Sequence, residues 1–216
     1  MKYSLVFDLD GVLLDSESDL SWLTRAAERT LHHFNIKDPL KYIECLYSKN
    51  VVRFEEMSKR IGIDPMVLWP IRNRLYTEEK IKGMRNQTIK PFSDITTLYR
   101  LNGDYEFSII SNSPQSVVDF FIDHFGYADL FSFGIGRGDT IQDILHMKPH
   151  PFLFDRFKEK TSAKRFVYIG DQESDRVFAK NTGMKFYLID RIRKQHDGFL
   201  SLDDLVTYFL SKDDIS

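Results

Sequence analysis

The chain has 216 residues, enough for one large or two modest domains, and 42% of them are hydrophobic, with 18 Phe, so it can bury a substantial core. A formal net charge of −2 gives no sign of a general nucleic-acid or membrane-surface binder, and Cys45, the only cysteine, excludes an intrachain disulfide framework. Between Met1 and Asp8 there is no room for a signal-peptide core, and no apolar run could span a bilayer, so the chain reads as soluble and cytoplasmic. Oligomeric state has no signature in it.

Tyr3 to Phe7 is a short apolar run, typical of a buried parallel strand, and it stops at Asp8, Asp10 and Gly11. Paired acids at a strand end are costly unless a cation or a proton neutralises them. From Ser16 the pattern turns helical. Asp15 or Ser16 is placed to cap a helix with Leu20, Leu23, Ala27, Leu31 and Phe34 at three-to-four spacing. Asp38-Pro39 opens a second helix, Val51 to Ile61 forms a third after the polar turn Ser48-Lys49-Asn50, and Met66 to Lys82 a fourth, closed by Gly83. Residues 16–87 therefore read as an all-helical module inserted into an α/β domain made of residues 1–15 and 88–216, with linkers near Leu14–Ser16 and Gly83–Pro91.

Beyond Pro91 strand and helix alternate, which predicts a parallel sheet with right-handed crossovers. Phe92 to Leu101 is predicted helical and Glu106 to Ile110 a strand; Ser113 as cap and Pro114 as first helical residue then open a helix ending near Gly126. Phe131 to Ile135 is a shorter strand, followed by a loop with Gly134, Gly136 and Gly138 that leads to Lys148-Pro149. Pro151 to Lys160 is helical, Arg165 to Ile169 a strand ending at Gly170-Asp171, and the next helix carries Asp175 and stops at Gly183. Lys185 to Ile189 is the last strand, and Ser201 caps a final helix to about Lys212.

Polar residues fall at one edge of this predicted sheet. Asp8 and Asp10, Ser111 and Asn112, and Asp171 with Asp175 lie at strand ends, and Lys148 lies on a loop on the same side. Carboxylates suit a hard divalent cation, Mg²⁺ in preference to zinc, while a hydroxyl, backbone N–H groups and an ammonium suit an anion. Each feature has a plainer reading: a strand ending in an Asp-Gly turn, acids at a helix N-terminus, a solvated lysine. The three glycines do not form a strand–turn–helix dinucleotide fingerprint, Arg137-Gly138-Asp139 reads as coincidence, and Pro149 breaks any helix that would pair His146 with His150 on a metal. Aromatic residues in the helical module read as core.

Taken in order, Asp8-Leu9-Asp10-Gly11, Ser111 in SNSP, Lys148 in KPHP and Gly170-Asp171 with Asp175 match the four motifs of the haloacid dehalogenase superfamily. The chain resembles its phosphohydrolases with a helical cap, similar to phosphoglycolate phosphatases and beta-phosphoglucomutases, over nearly its whole length. The resemblance implies a Rossmann-like core and a Mg²⁺-dependent phosphatase acting on a small phosphorylated metabolite. Asp8 would be the nucleophile, and Asp10 the acid and base, its pKa raised by its like-charged neighbour. Asp8, the Asp10 carbonyl and Asp171 would hold Mg²⁺, Asp175 acting through water or on Lys148. Ser111, Asn112 and Lys148 would bind the phosphoryl group, and Arg53, at the turn that faces the core in relatives, would meet the leaving group. A sugar phosphomutase is the alternative, weakened because Leu20 stands where those relatives carry a His; a phosphoryl-receiving signalling domain is a further one, opposed by Asp10 and the helical insertion. A dehalogenase would lack an Asp at position 10.

Overall fold

The structure is a computed structural model that describes residues 3–37, 40–48, 50–192 and 197–211. The predicted helix start at Asp38-Pro39, Lys49 of the polar turn and the end near Lys212 lie outside the described residues.

The first strand, β1 (Tyr3–Phe7), is followed by the two-residue β2 (Leu14–Asp15). Helices α1 (Ser21–His33), α2 (Ile43–Leu46), α3 (Val51–Arg60) and α4 (Pro65–Arg85) come next, with a 3₁₀ turn at Leu40–Tyr42. The chain returns through β3 (Lys90–Pro91), which pairs antiparallel with β2, so the segment entering the helices and the segment leaving them are hydrogen-bonded to each other. The remainder is a 3₁₀ helix (Ser93–Leu101), β4 (Tyr105–Pro114), α5 (Gln115–His124), β5 (Phe131–Arg137), a 3₁₀ turn (Ile141–Ile144), α6 (Phe152–Lys158), β6 (Arg165–Gly170), α7 (Glu173–Thr182), β7 (Lys185–Leu188) and α8 (Leu202–Leu210).

The main sheet is parallel in the order β5-β4-β1-β6-β7. Because side chains alternate along a strand, β1 sends Leu5 and Phe7 to one face and Val6 to the other. The first face is packed by α5, α8 and the Ser93–Leu101 helix, through residues such as Phe121, Phe209 and Leu98. The second is packed by α6 and α7 through Phe154, Phe157 and Phe178. Covered on both sides, β1 has an almost wholly apolar sequence, as a central parallel strand must. It also lies where the strand order reverses, so its carboxyl end opens into the crevice between the two halves of the sheet. A third apolar cluster joins α1–α4 through Leu31, Leu46, Phe54 and Trp69, and takes in Ile141 and Ile144 from the turn after β5.

Several local expectations differ from the structure. The first helix begins at Ser21 with Leu20 as its cap residue, not at Asp15 or Ser16, because Asp15 is in β2 and the Ser16 hydroxyl donates to Asp10 at 2.6 Å. Ser113 does not cap α5; β4 runs on through Pro114, and the Ser113 hydroxyl is turned to Asp10. Gly134 and Gly136 lie in β5 and not in a loop. A Cβ at Gly136 would fall 2.6 Å from the Gln115 Cα, so glycine there permits β5 to pass the start of α5. The fourth helix continues past Gly83, whose missing side chain leaves room for Ile89. Phe92 to Leu101 is the 3₁₀ helix rather than an α-helix.

Candidate active site

Parallel pairing brings the carboxyl ends of β1, β4 and β6 together, and the predicted acids meet there. Lys148 lies between two of them. Its Nζ is 2.9 Å from Asp8 Oδ1 and 2.8 Å from Asp175 Oδ1, and it donates to the Tyr168 hydroxyl at 2.6 Å. Tyr168 in turn donates to the Ile110 carbonyl at 2.9 Å, tying β6 to β4 under the lysine. The Lys148 main chain is held by Asn112, whose Oδ1 accepts from the Lys148 N–H at 2.7 Å and whose Nδ2 donates to its carbonyl at 3.2 Å. Asn112, expected to bind substrate, thus has its amide committed to positioning Lys148. Ser111 is buried at the end of the same strand and accepts from the Ser113 N–H at 3.1 Å.

Asp175 also closes a capping box at the start of α7. Its Oδ2 accepts from the N–H groups of Asp171 and Gln172 at 3.3 and 3.2 Å. With Oδ1 on Lys148, both of its oxygens already have protein partners. Gly11 completes this corner: its φ is +78°, and a Cβ would lie 2.3 Å from Asp171 Oδ2, so only glycine makes the turn and leaves the carboxylate in place.

The electrostatics divide the acids. Burial pushes the Asp8 carboxyl up to about 7, against the pull of Lys148, with the charges of Asp175 and Asp10 adding to the rise. Burial, then the charges of Asp8 and Asp175, push Asp171 up to about 8. For Asp10 burial works upward too, but the charge of Lys80 outweighs it, helped by hydrogen bonds from Lys80, Ser16 and Ser113. Its pKa therefore lies below the ordinary carboxylate value, the reverse of the elevation expected from its like-charged neighbour. The cause is a residue that sequence reasoning missed. Lys80 comes from α4, is fully buried, and donates to Asp10 Oδ1 at 2.5 Å and to the Ser113 hydroxyl at 2.9 Å.

Asp8, Asp171 and Asp175 can each place a carboxylate oxygen within 4.8 Å of the others. Four carboxylates, those three and Asp10, meet two ammonium groups, Lys80 and Lys148, and burial, with the repulsion between these acids added to it, raises Asp8 and Asp171. An all-oxygen donor set short of two positive charges suits Mg²⁺.

Asp8, Asp10 and Asp175 line a cavity of about 240 Å³ whose opposite wall is built from α1, the Tyr47–Ser48 turn and α4. Arg72 of α4 and Arg137 of β5 reach it as well, both nearly inaccessible to solvent. Arg53 does not. It is exposed near the start of α3, where Asn50 caps the helix, and it is not among the residues that line the cavity. Leu20 lines it with an apolar side chain. Among the described residues, no helix is long and apolar enough to cross a membrane.

A covered parallel sheet thus carries acids, a hydroxyl and a buried lysine at one edge, groups whose chemistry suits an anion and a divalent cation. The haloacid dehalogenase-like hydrolase model matches residues 5–189, and the chain belongs to that family. It is a phosphatase of that family, a hydrolase of phosphate monoesters. The phosphoglycolate phosphatase of Vibrio cholerae is 27% identical over 185 residues, covering 83% of this chain and 80% of its own. That of Rhodobacter capsulatus is 26% identical over 193 residues, covering 87% and 84%. Among solved structures, CbbY from Rhodobacter sphaeroides in complex with phosphate superposes with a TM-score of 0.70 at 18% identity, covering 95% of this chain and 96% of that one. A haloacid dehalogenase-like hydrolase from Bacteroides fragilis gives 0.65 at 22%, covering 94% and 100%.

Proposed function

We propose that the chain is a Mg²⁺-dependent phosphatase that hydrolyses a small phosphorylated metabolite by way of an aspartyl-phosphate on Asp8. The observation that carries this reading is the placement of Asp8: it faces the cavity, 2.9 Å from the Lys148 ammonium and beside the Asp171–Asp175 pair. In this reading Asp8, the Asp10 carbonyl and Asp171 hold the metal, while Asp175 holds Lys148 and the turn before α7. Bound there, Mg²⁺ would neutralise the carboxylates and draw charge from the phosphoryl oxygens. Asp8 attacks phosphorus, and Ser111 and Lys148 hold the phosphoryl oxygens in a site from which water is largely excluded. Ser16, Ser113 and Lys80 hold Asp10 as a carboxylate, which suits it to take the proton of the water that cleaves the aspartyl-phosphate. To protonate the leaving oxygen in the first half-reaction, Asp10 must first loosen from Lys80 and take up a proton from solvent, and the hydrolytic water returns that proton to it in the second. A helical cap formed by residues 16–87 over a core of residues 1–15 and 88–216 is part of the same reading, as is a cytoplasmic setting, where metabolite phosphates are made.

The relatives' names make phosphoglycolate the first substrate to try. A phosphatase is preferred to a sugar phosphomutase because Leu20, at the cavity, has no group that could time the chemistry of Asp10. The test is phosphate release from a panel of phosphorylated short acids, sugars and nucleotides, with Mg²⁺ and with EDTA, followed by mass spectrometry of quenched enzyme. Metal-dependent release with phosphate trapped on the peptide that carries Asp8 is the expected result. Turnover without any such adduct, and undiminished in Asp8→Asn, would refute covalent catalysis.

A further inference from the structure

The buried face of α4 carries four polar side chains whose partners can be traced. Glu79 pairs with Arg25 and Arg29 of α1, Lys80 with Asp10, and Asn73 with Asp139 and Arg137. Arg72 differs. Its Nε donates to the Leu46 carbonyl at 3.2 Å, but its two terminal nitrogens have no protein acceptor among the described residues, and it enters no ion pair there. Its guanidinium carbon sits 4.5, 4.8 and 5.1 Å from the rings of Tyr47, Trp69 and Tyr76, an aromatic box that fixes its plane.

Arg137 approaches the same Trp69 ring from β5, at 5.4 Å. Its terminal nitrogens donate to the Gly138 carbonyl and to Asn73 Oδ1, leaving Nε without a partner among the described residues. The charges of Asp139 and Asp143 act on Arg137, but these acids accept from Asn73 and from Thr140, and neither forms an ion pair with it. Burial, then the charge of Arg137, lowers the Arg72 pKa to about 10. Two guanidinium groups are therefore held close together, out of solvent and without an ion-paired carboxylate among the described residues, in the wall of the cavity that contains Asp8. Buried cations are ordinarily paired, and an unpaired charge in such a place is costly.

We infer that Arg72 and Arg137 form a second anion subsite, which binds a carboxylate on the leaving group while the phosphoryl group lies against Asp8. This rests on the phosphatase reading and assigns to it the residues that would select a short phosphate monoester carrying a carboxylate over one without it. The unused donors, the two terminal nitrogens of Arg72 and Nε of Arg137, suit the two oxygens of a planar carboxylate. One arginine comes from the helices inserted after β2 and the other from the sheet, so a bound carboxylate would join the two and help to exclude water.

The test compares a matched pair of substrates, 2-phosphoglycolate and 2-hydroxyethyl phosphate, which differ in carboxylate against hydroxymethyl. The wild-type enzyme should favour the first by about 10²-fold in kcat/KM, the scale on which one charge-assisted contact pair discriminates. In Arg72→Met and in Arg137→Met that preference should fall by tenfold or more, and Arg72→Lys should recover part of it. Equal losses on both substrates, or no preference in the wild type, would overturn the subsite. Calorimetry with the non-hydrolysable phosphonoacetate and methylphosphonate, in Mg²⁺, gives a readout independent of turnover. If no ester is hydrolysed but phosphonoacetate still binds more tightly in an Arg72-dependent way, the catalytic reading fails and the subsite stands. Arg137→Met and the lysine variant keep the test decisive should Arg72→Met not fold, which a thermal melt reports.

Discussion

The sheet edge and the helices α1–α4 face each other across one cavity, and they handle buried charge in opposite ways. At the edge, carboxylates outnumber the ammonium groups that reach them, and burial with mutual repulsion raises Asp8 and Asp171. On the helical side and the adjoining end of β5 the excess is positive: Lys80 has Asp10, but among the described residues Arg72 and Arg137 form no ion pair with an acid. A wall short of cations faces a wall short of anions. In the reading proposed above, a divalent cation answers the first wall and the carboxylate of the substrate answers the second.

The sharpest way to break the comparison is at its negative pole. Asp8→Asn should lower phosphate release by about 10⁴-fold or more, the scale of removing a nucleophile, with Mg²⁺-dependent stabilisation still measurable through Asp171. Retained turnover would show that the edge does not work through that carboxylate. Next in size is Lys148→Met, which removes the cation between Asp8 and Asp175 and should cost on the order of 10²-fold in kcat. A loss no greater than that from the exposed Lys160→Met would remove Lys148 from the chemistry.

Lys80→Met tests the link between the two walls. It strands the Asp10 carboxylate, which has lost its charge partner in a mostly buried place, and breaking such a pair costs about 3 kcal/mol, or roughly 6–12 °C in Tm for a domain of this size. Asp10→Asn in the same chain should restore much of that stability. Additive losses in this double-mutant cycle would mean that the pair contributes little. Metal and pH give a smaller, graded effect. Without metal, Asp8 and Asp171 bind more protons in the folded chain than in the unfolded one. Stability should therefore fall as pH rises from about 4 through 7 and 8. Mg²⁺ competes with those protons, so the Tm gained by adding it should be larger at pH 8.5 than at pH 6. A gain that shrinks with rising pH would contradict the carboxylate cluster as the metal site. The smallest effect belongs to Arg53→Ala, which, being exposed and away from the cavity, should change kcat/KM by less than about twofold, within the range of ordinary surface substitutions.

The strand ends were open to sequence reading because their chemistry is local. An apolar run that stops at Asp8-Leu9-Asp10-Gly11, or Gly170-Asp171 before a helix, states both the element and the reactive group, and parallel pairing can bring such ends only to one edge. Lys148 and Ser111 followed by the same rule, and with them the α/β fold. The helices yielded only their approximate positions. The buried face of α4 is polar, with Arg72, Asn73, Glu79 and Lys80 in it, so hydrophobic periodicity cannot identify it as buried, and Arg53 at a capped turn looked the better cation.

The sequence by itself determined the order of strands and helices, the acids and lysine at the sheet edge, and through its motifs the family. Only the tertiary structure decided which cations face them. Lys80 meets Asp10 across 70 positions of chain, and Arg72 meets Arg137 over one Trp69 ring. Those pairings depend on how one helix lies over a sheet, and helix packing is set by the whole buried surface, not by any short pattern of residues. The direction of the Asp10 pKa followed from that packing: its neighbour in sequence is an acid, while its neighbour in space is a lysine.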